Sequence, residues 1–126
     1  MVQSMKIYVG HSSEMDYIEE LYQPLRQSEI DEEHEIVLPH EHSDEQFDSR
    51  EFLRDECDLF VAEVSKPSIG LGIELGWADE FGVPGLCVHS EEAEISSSVS
   101  VVAEDVQKYV SKKDLLELIR DRVEPE

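Results

Sequence analysis

One carboxylate in this chain stands beside residues suited to chemistry on a small molecule. Glu74 follows a stretch rich in serine and glycine, which runs from Ser65 to Gly72. Glycine lets the backbone approach a ligand closely and serine offers a hydroxyl, so Ser68, Gly70 and Gly72 are expected to contact one. An anionic side chain beside such a ligand can act as a nucleophile. The alternative is an ordinary acidic residue in the first turn of a helix, which the helix dipole favours.

A buried strand and a helix must position this carboxylate. Residues 59–64 are apolar and β-branched apart from Glu63, which is typical of a strand covered on both faces in a parallel sheet. The loop that follows lies at the carboxyl end of that strand, where open α/β sheets bind ligands. The glycine spacing lacks the third glycine of a dinucleotide fingerprint, and the chain has no P-loop.

Residues 61–78 carry a resemblance to a known family. They read Val-Ala-Glu-Val-Ser-Lys-Pro-Ser-Ile-Gly-Leu-Gly-Ile-Glu-Leu-Gly-Trp-Ala. This resembles the signature of the nucleoside 2-deoxyribosyltransferase superfamily, most closely its branch of 2′-deoxynucleoside 5′-monophosphate N-hydrolases. The resemblance implies that Glu74 attacks C1′ of the sugar, without a cofactor or metal. It also implies a flavodoxin-like strand order and a homodimer with shared sites.

Further site residues follow from the resemblance. Tyr8 matches a family tyrosine that contacts the catalytic glutamate or the sugar, although a core aromatic on a strand is an equal alternative. Where the family has a Gly-Ser-x-Arg loop for the 5′-phosphate, this chain has Gly10-His11-Ser12-Ser13 and no arginine. A protonated His11 is a possible substitute. Ser98 aligns with a serine that reaches the phosphate from the neighbouring subunit; the alternative is a flexible serine-rich loop.

The general acid is the hardest role to assign. The family uses an aspartate on the second helix to protonate the leaving base. Counting back from Glu74 without gaps puts Arg50 at that position. Asp48 takes the role if the helix is offset by two residues and Glu51 if it is offset by one. We take Asp48 as the candidate acid/base, working with Glu74 as a pair of carboxyls on a retaining pathway.

Ser68 bears on the choice of substrate. Deoxyribosyltransferases that act on free nucleosides have an aspartate six residues before the nucleophile, where this chain has serine, as in the monophosphate hydrolases. A carboxylate there would repel a phosphate. The expected activity is therefore an N-glycosidase that releases the base and a sugar phosphate. The alternatives are transfer between free nucleosides and a nucleotide-binding module without turnover.

The rest of the chain alternates strands with helices. We predict a single-domain, doubly wound α/β fold over residues 1–126, flavodoxin-like or Rossmann-like, with a mainly parallel five-stranded sheet and residues 1–4 as a frayed lead. Residues 31–35 are expected as an exposed acidic turn and residues 90–100 as a loop. The strands are expected at 5–10, 35–39, 59–64, 86–89 and 106–110, and the other helices from 12 or 13 to about 28, from 43 or 44 to about 57, and from 112 to about 123.

Composition excludes several classes of partner. With 31 acidic and 10 basic residues, the net charge of −21 disfavours nucleic acid and anionic membranes as partners. The nucleoside monophosphate or nucleoside expected as the substrate is what the resemblance implies. The apolar runs are short and no signal-peptide pattern is present, so we expect a cytoplasmic protein. Cys57 and Cys87 are expected as reduced core residues.

Two pairs of ring-bearing side chains could belong to a functional site, but each pair also has an ordinary structural interpretation. His40 and His42 flank Glu41, but two such histidines do not complete a metal site, so we expect them to face solvent or substrate. Trp77 lies four residues before Phe81 on the central helix. We expect this pair in the core or at a subunit contact rather than as a platform for a base.

Overall fold

Five parallel strands form one sheet in the computed structural model, which describes residues 3–41, 48–103 and 105–124. The strand order is β2-β1-β3-β4-β5, and every pairing is parallel. This confirms the predicted flavodoxin-like sheet. The strands are β1 (Lys6–His11), β2 (Glu35–Val37), β3 (Leu59–Glu63), β4 (Gly85–Ser90) and β5 (Val106–Tyr109).

Helices cover both faces of the sheet. Helices α1, α2 and α6 pack with Ile7, Val9 and Val61 on one face, whereas α3, α4 and α5 pack with Tyr8 and Phe60 on the other. Because successive side chains of a strand point to opposite faces, each central strand supplies both cores. The helices are α1 (Gln23–Arg26), α2 (Glu29–Glu33), α3 (Ser49–Asp55), α4 (Ile69–Glu80), α5 (Val99–Val102) and α6 (Lys112–Val123).

The first predicted helix is wrong in its start and its geometry. Ser12 does not cap a helix; its hydroxyl accepts a hydrogen bond from the Glu14 backbone N–H in a turn. A π-helical turn spans Ile18–Tyr22, and its last bond runs from the Gln23 N–H to the Ile18 carbonyl. Pro24 follows directly. Proline has no N–H and its ring clashes with the carbonyl four residues earlier, so the widened turn accommodates it.

Two short helices replace predicted turns and loops. The acidic segment expected as an exposed turn contains α2, because Ile30 is buried against the core while its acidic neighbours face outward. The predicted loop 90–100 ends in α5, where Val99 is buried. Both helices depend on a single buried apolar residue, which is too weak a pattern to detect in the sequence.

The second predicted helix begins later than expected among the described residues. Asp48 is the N-cap of α3, and its carboxylate accepts a hydrogen bond from the Glu51 N–H at 3.1 Å. The predicted start at Ser43 or Asp44, together with His42 and Phe47, lies outside the described residues. By contrast, α6 begins as predicted, with Ser111 capping it through the Asp114 N–H. None of the helices in the described ranges is long and apolar enough to cross a membrane.

Candidate active site

Helix α4 places Glu74 at the carboxyl edge of the sheet. The helix begins at Ile69, because the Ser68 hydroxyl accepts a hydrogen bond from the Leu71 N–H and caps it. Glu74 therefore lies in the second helical turn rather than the first. Gly70 and Gly72 belong to the helix and not to the loop, which corrects the prediction.

Tyr8 holds the Glu74 carboxylate. Its phenol donates a hydrogen bond of 2.6 Å to Glu74 Oε2. Tyr8 lies in the middle of β1 rather than at its end, and only 1% of it is exposed. Burial, reinforced by the charge of Glu74, raises the pKa of the Tyr8 phenol, so the phenol stays protonated and remains a donor.

The surroundings of Glu74 make its carboxylate more basic than an exposed one. Burial raises the pKa of Glu74, while hydrogen bonds from Tyr8 and Ser49 and the charge of His40 act in the opposite direction. The net direction is upward, so part of the hydration of the carboxylate is lost without full replacement. A partly desolvated carboxylate is a better nucleophile than a fully hydrated one.

Glu74 faces a cleft of about 440 Å³, within the usual size range for small-molecule sites. Both polar and apolar residues line it. The side chains and backbone of the following residues line it: Tyr8, His11, Ser13, Pro39, His40, Ser49, Ser68, Gly70, Leu71, Ile73, Glu74 and Trp77.

Gly10 is required by the close approach of β1 to α4. A Cβ atom at this position would lie 2.8 Å from Phe60 Cε1 and 3.0 Å from Glu74 Oε1. Both distances are shorter than van der Waals contact allows, and Phe60 is fully buried. Gly10 therefore lets the carboxylate lie directly against the strand. The predicted role in a phosphate loop does not follow from this position, since Gly10 is a strand residue.

His11 is built into the wall of the cleft as a neutral ring. Its Nδ1 lies 3.0 Å from the Ser12 carbonyl, which can only accept, and its Nε2 lies 2.6 Å from the Tyr22 hydroxyl. Nδ1 therefore carries the proton and Nε2 accepts from the tyrosine. Burial lowers the pKa of His11, which disfavours the protonated form expected beside a phosphate. Ser12 is buried beneath the cleft and Ser13 lines it.

The remaining predicted contacts lie around the start of α4. Ser68 borders the cleft and also a second, more apolar cavity of about 410 Å³ on the other side of the helix. Gly72 and Ser98 line that second cavity and not the cleft, while Gly70 lines the cleft. Within one subunit the structure therefore does not bring Ser98 to Glu74.

The candidate acids on α3 lie away from the cleft lining. Asp48 is exposed and its carboxylate caps α3. Glu51 is exposed one turn further on, and the guanidinium of Arg50 lies 5.8 Å from the centre of the Phe81 ring. In this structure the α3 side chain that reaches the cleft is Ser49. The assignment of Asp48 as acid/base thus stays a prediction without support from its position.

Sequence reasoning missed or undervalued three cleft residues. Ser49 had no signal, since only the packing of α3 on α4 brings it to Glu74. His40 was expected to face solvent or substrate, and it lines the cleft beside the end of β2. Trp77 was expected in the core or at a subunit contact, but it is half-buried and lies one turn beyond Glu74 along the cleft. The i to i+3 spacing of Glu74 and Trp77 could have indicated this.

A cluster away from the cleft has ligand-type side chains but does not suit a metal ion. Atoms of Glu33, His34 and Glu124 lie within 4.8 Å of one another. The Met5 N–H donates a hydrogen bond of 3.0 Å to His34 Nδ1, so the proton of a neutral ring is on Nε2. A protonated Nε2 cannot ligate a metal, whereas it can face the acidic groups beside it.

The thiols do not supply a nucleophile. Cys57 and Cys87 are both free, as predicted. Burial raises the pKa of each thiol to about 11, so both are protonated at neutral pH. Neither thiol lines the cleft, whereas the Glu74 carboxylate does.

Comparison with known proteins finds curated relatives over about a third of the chain. No family model matches the chain. A curated protein of Syntrophotalea carbinolica is 46% identical over 46 residues, which cover 36% of this chain and 32% of that protein. One of Methanococcoides burtonii is 47% identical over 47 residues, covering 36% and 37%. Both are named, provisionally, 2′-deoxynucleoside 5′-phosphate N-hydrolase 1. The matched region thus spans about a third of each relative.

Over this matched region the chain is similar to proteins named as N-hydrolases of 2′-deoxynucleoside 5′-phosphates.

Solved structures agree on the fold. A CMP N-glycosidase of Clostridium botulinum superposes with a TM-score of 0.61, with 21% identity over 91% of this chain and 98% of that one. A 2-deoxyribosyltransferase of Leishmania mexicana gives 0.54, with 17% identity over 75% and 76%. A CheY-like receiver domain of Methanospirillum hungatei also gives 0.61, with 16% identity over 96% and 94%. Because receiver domains share the fold, the fold alone does not decide the activity.

Proposed function

We propose that this protein hydrolyses the base–sugar bond of 2′-deoxynucleoside or nucleoside 5′-monophosphates, with Glu74 as the nucleophile. The observation that carries the proposal is the hydrogen bond from Tyr8 to Glu74 at the wall of a cleft of suitable size. The names of the two curated relatives point to the same substrate class.

The chemistry suits a partly desolvated carboxylate. Cleavage of an N-glycosidic bond builds positive charge on the sugar, which an adjacent anion stabilises more in the transition state than in the substrate. Glu74 then closes on C1′ and forms a glycosyl-enzyme ester, which water hydrolyses in a second step. Tyr8 supports this step by fixing one carboxylate oxygen and leaving the other, Oε1, facing Gly10.

A phosphate would be held by neutral groups. Ser13, the backbone of Gly70 and the hydroxyl of Ser68 lie along the cleft near the N-terminus of α4, whose dipole favours an anion. Gly10 and Ser12 support this edge from β1 and the turn after it. A monophosphate remains the proposed form of the substrate, since Ser68 stands where transferases on free nucleosides carry an aspartate.

Base release from a panel of substrates tests the proposal. We expect the purified protein to release free base from at least one nucleoside 5′-monophosphate, measured by chromatography, and to act more slowly on the matching nucleoside. Glu74→Gln should lower the rate at least about a thousandfold. Glu80→Gln, an exposed glutamate on the same helix, is the matched control and should keep the activity of the wild type.

Two outcomes would replace the proposal. Base exchange between free nucleosides, with no release from monophosphates, would make the protein a deoxyribosyltransferase. Binding of a monophosphate by the wild type, with no release from any substrate, would make it a nucleotide-binding module.

We also propose a homodimer that completes the site around α4. One face of α4 is apolar and bare: Ile69 is 86% exposed and Ile73 is 48% exposed, and a Cβ at Gly72 or Gly76 would meet nothing within 4 Å. An apolar stripe along a helix normally packs against another element. A partner on this face would bring its own Ser98 region near the cleft, as the resemblance implies.

Light scattering tests the homodimer. Ile69→Lys should convert a dimer to a monomer because it places a charge in an apolar interface. Val110→Lys is the control, since Val110 is an exposed apolar residue outside α4. A wild type that is monomeric at high concentration would contradict the proposal.

The two free thiols fit a reducing compartment, and we propose the cytoplasm as the place of action.

A further inference from the structure

Protonation of the departing base needs a donor that reaches the cleft, and the described carboxylates of α3 do not line it. Asp48 caps its own helix and Glu51 is exposed. Glu74 itself is the nucleophile in the proposed reaction. An imidazole, by contrast, does line the cleft in a position to serve: His40, in the segment that follows β2.

We propose that His40 is the general acid that protonates the leaving base, a role that rests on the proposed glycosidase function. Its ring lies in the same cleft as the Glu74 carboxylate, at the wall formed by His11 and Pro39. A histidine can carry a proton near neutral pH and give it up, so it suits this role without the help of a second carboxylate.

The backbone around His40 is fixed, which a proton donor requires. The His40 N–H donates a hydrogen bond of 3.1 Å to the Tyr22 hydroxyl, which in turn donates to His11 Nε2. The next residue, Glu41, is held by two hydrogen bonds of 2.8 Å from Arg26. Arg26 also binds Asp31 and the Ile36 carbonyl, so it joins this segment to β2. Arg26 is therefore a positioning residue for His40.

The two imidazoles of the cleft differ in what their nitrogens do. Both nitrogens of His11 are committed, one to the Ser12 carbonyl and one to Tyr22. The ring of His40 stands edge-on to His11 at 5.7 Å between centres, and its nitrogens make no hydrogen bond to residues in the described ranges. The proton of His40 is thus available to a ligand, whereas that of His11 is not.

The proposed reaction needs no reactant besides the substrate and water. As a Glu74 oxygen bonds to C1′, the C1′–N bond breaks and its electron pair goes to the base, which takes the proton of the His40 imidazolium. Neutral His40 then accepts a proton from water, whose oxygen attacks C1′ and releases Glu74 as a carboxylate. The products are free base and sugar phosphate, and His40 is again protonated.

Several titratable and charged groups surround the His40 ring. His11 and Tyr17 face its ring, and the ion pair of Arg26 with Glu41 lies beside it. Glu74 faces it across the cleft, and the charge of His40 favours the carboxylate form of Glu74. Burial raises the pKa of Glu74, so activity should rise with pH as this carboxyl loses its proton.

A substrate whose base leaves without protonation distinguishes a proton-donating role of His40 from a structural role. We compare an ordinary monophosphate with one whose base leaves without added protonation: 7-methylguanine if the enzyme prefers purines, or 5-nitrouracil if it prefers pyrimidines. His40→Gln should slow the ordinary substrate by roughly 10² to 10⁴-fold and change the rate on the activated substrate little. His40→Asn should give the same result as His40→Gln. Circular dichroism checks that each variant is folded.

Control variants make the outcomes distinct. His89→Gln replaces a half-buried histidine of β4 outside the cleft and should change neither rate. Glu74→Gln should abolish both. An equal loss on both substrates in His40→Gln, or a loss confined to the ordinary substrate in Asp48→Asn or Glu51→Gln, would overturn the role of His40 and leave the glycosidase function standing. No release by the wild type from either substrate would overturn the function itself.

Discussion

Two acidic side chains near the carboxyl edge of the sheet have opposite environments. Glu63 ends β3 and is 1% exposed, and it accepts hydrogen bonds from the Ser65 N–H, the Ser65 hydroxyl and the Tyr109 hydroxyl. Glu74, on the other face, receives its 2.6 Å bond from Tyr8 and opens on a cleft. A carboxylate whose acceptor sites are filled is structural, while one that is partly desolvated and accessible is reactive.

The same comparison explains why burial alone does not identify a nucleophile. Glu63 is the more deeply buried of the two, yet its carboxylate oxygens are occupied by the donors of Ser65 and Tyr109. Glu74, by contrast, lines a cleft large enough for a small molecule. Its position on that cleft distinguishes it from Glu63.

Removal of the Tyr8 hydroxyl should have the largest effect among the changes that leave both carboxylates in place. Tyr8→Phe deletes a hydrogen bond to a charged group, worth about 1.5–3 kcal/mol, so kcat/KM should fall roughly tenfold to a hundredfold. Because the Tyr8 bond lowers the pKa of Glu74, its loss should raise that pKa and shift the acidic limb of the rate profile to higher pH. An unchanged acidic limb would show that the phenol does not act on the carboxylate.

Glu63→Gln should lower the stability of the fold, whereas Tyr8→Phe should lower the rate of the reaction. The amide cannot accept from all three donors that surround Glu63, and a buried donor left unpaired costs about 1–3 kcal/mol. We expect the free energy of unfolding, measured in urea, to fall by that amount. The kcat of the folded fraction should remain that of the wild type. A large fall in kcat with unchanged stability would contradict the structural role of Glu63.

The smallest predicted effect is a gain in stability at Glu74. The pKa of Glu74 is raised in the folded state. Between the pKa of an ordinary glutamate and the pKa of Glu74 in the folded protein, the folded protein therefore binds more protons than the unfolded chain. Stability is lost across that window. Glu74→Gln avoids this loss and should melt higher than the wild type at pH 7, with a smaller gain at pH 4. A lower melting temperature at pH 7 would contradict a strained carboxylate.

The sequence predicted the centre of the molecule better than its periphery. The apolar run of β3 and the motif around Glu74 are local signals, and the structure has the strand and the helix there. The π-helical turn before Pro24 was missed because an apolar spacing of 3.6 residues does not reveal which turn widens. Local pattern thus fixes element type more firmly than element geometry.

The site itself combines residues far apart in the chain, and this limits what a sequence can predict. Tyr8 was placed beside Glu74 by resemblance to a family, across 66 residues. Ser49 and His40 had no such guide, since their approach to the cleft depends on how α3 packs on α4 and how Arg26 holds Glu41. The assignment of Asp48 failed to find support because an offset of one or two residues on a helix turns a side chain to another face.

Trapping the glycosyl-enzyme tests the central claim most directly. A 2′-fluorinated nucleoside monophosphate slows both steps by withdrawing electrons from C1′, and a base that leaves easily lets the ester accumulate. Proteolysis and mass spectrometry should then find the fluorinated sugar phosphate attached to the peptide that contains Glu74, with no adduct in Glu74→Gln. An adduct on another residue, or base release with no adduct at all, would contradict the assignment of Glu74 as the nucleophile.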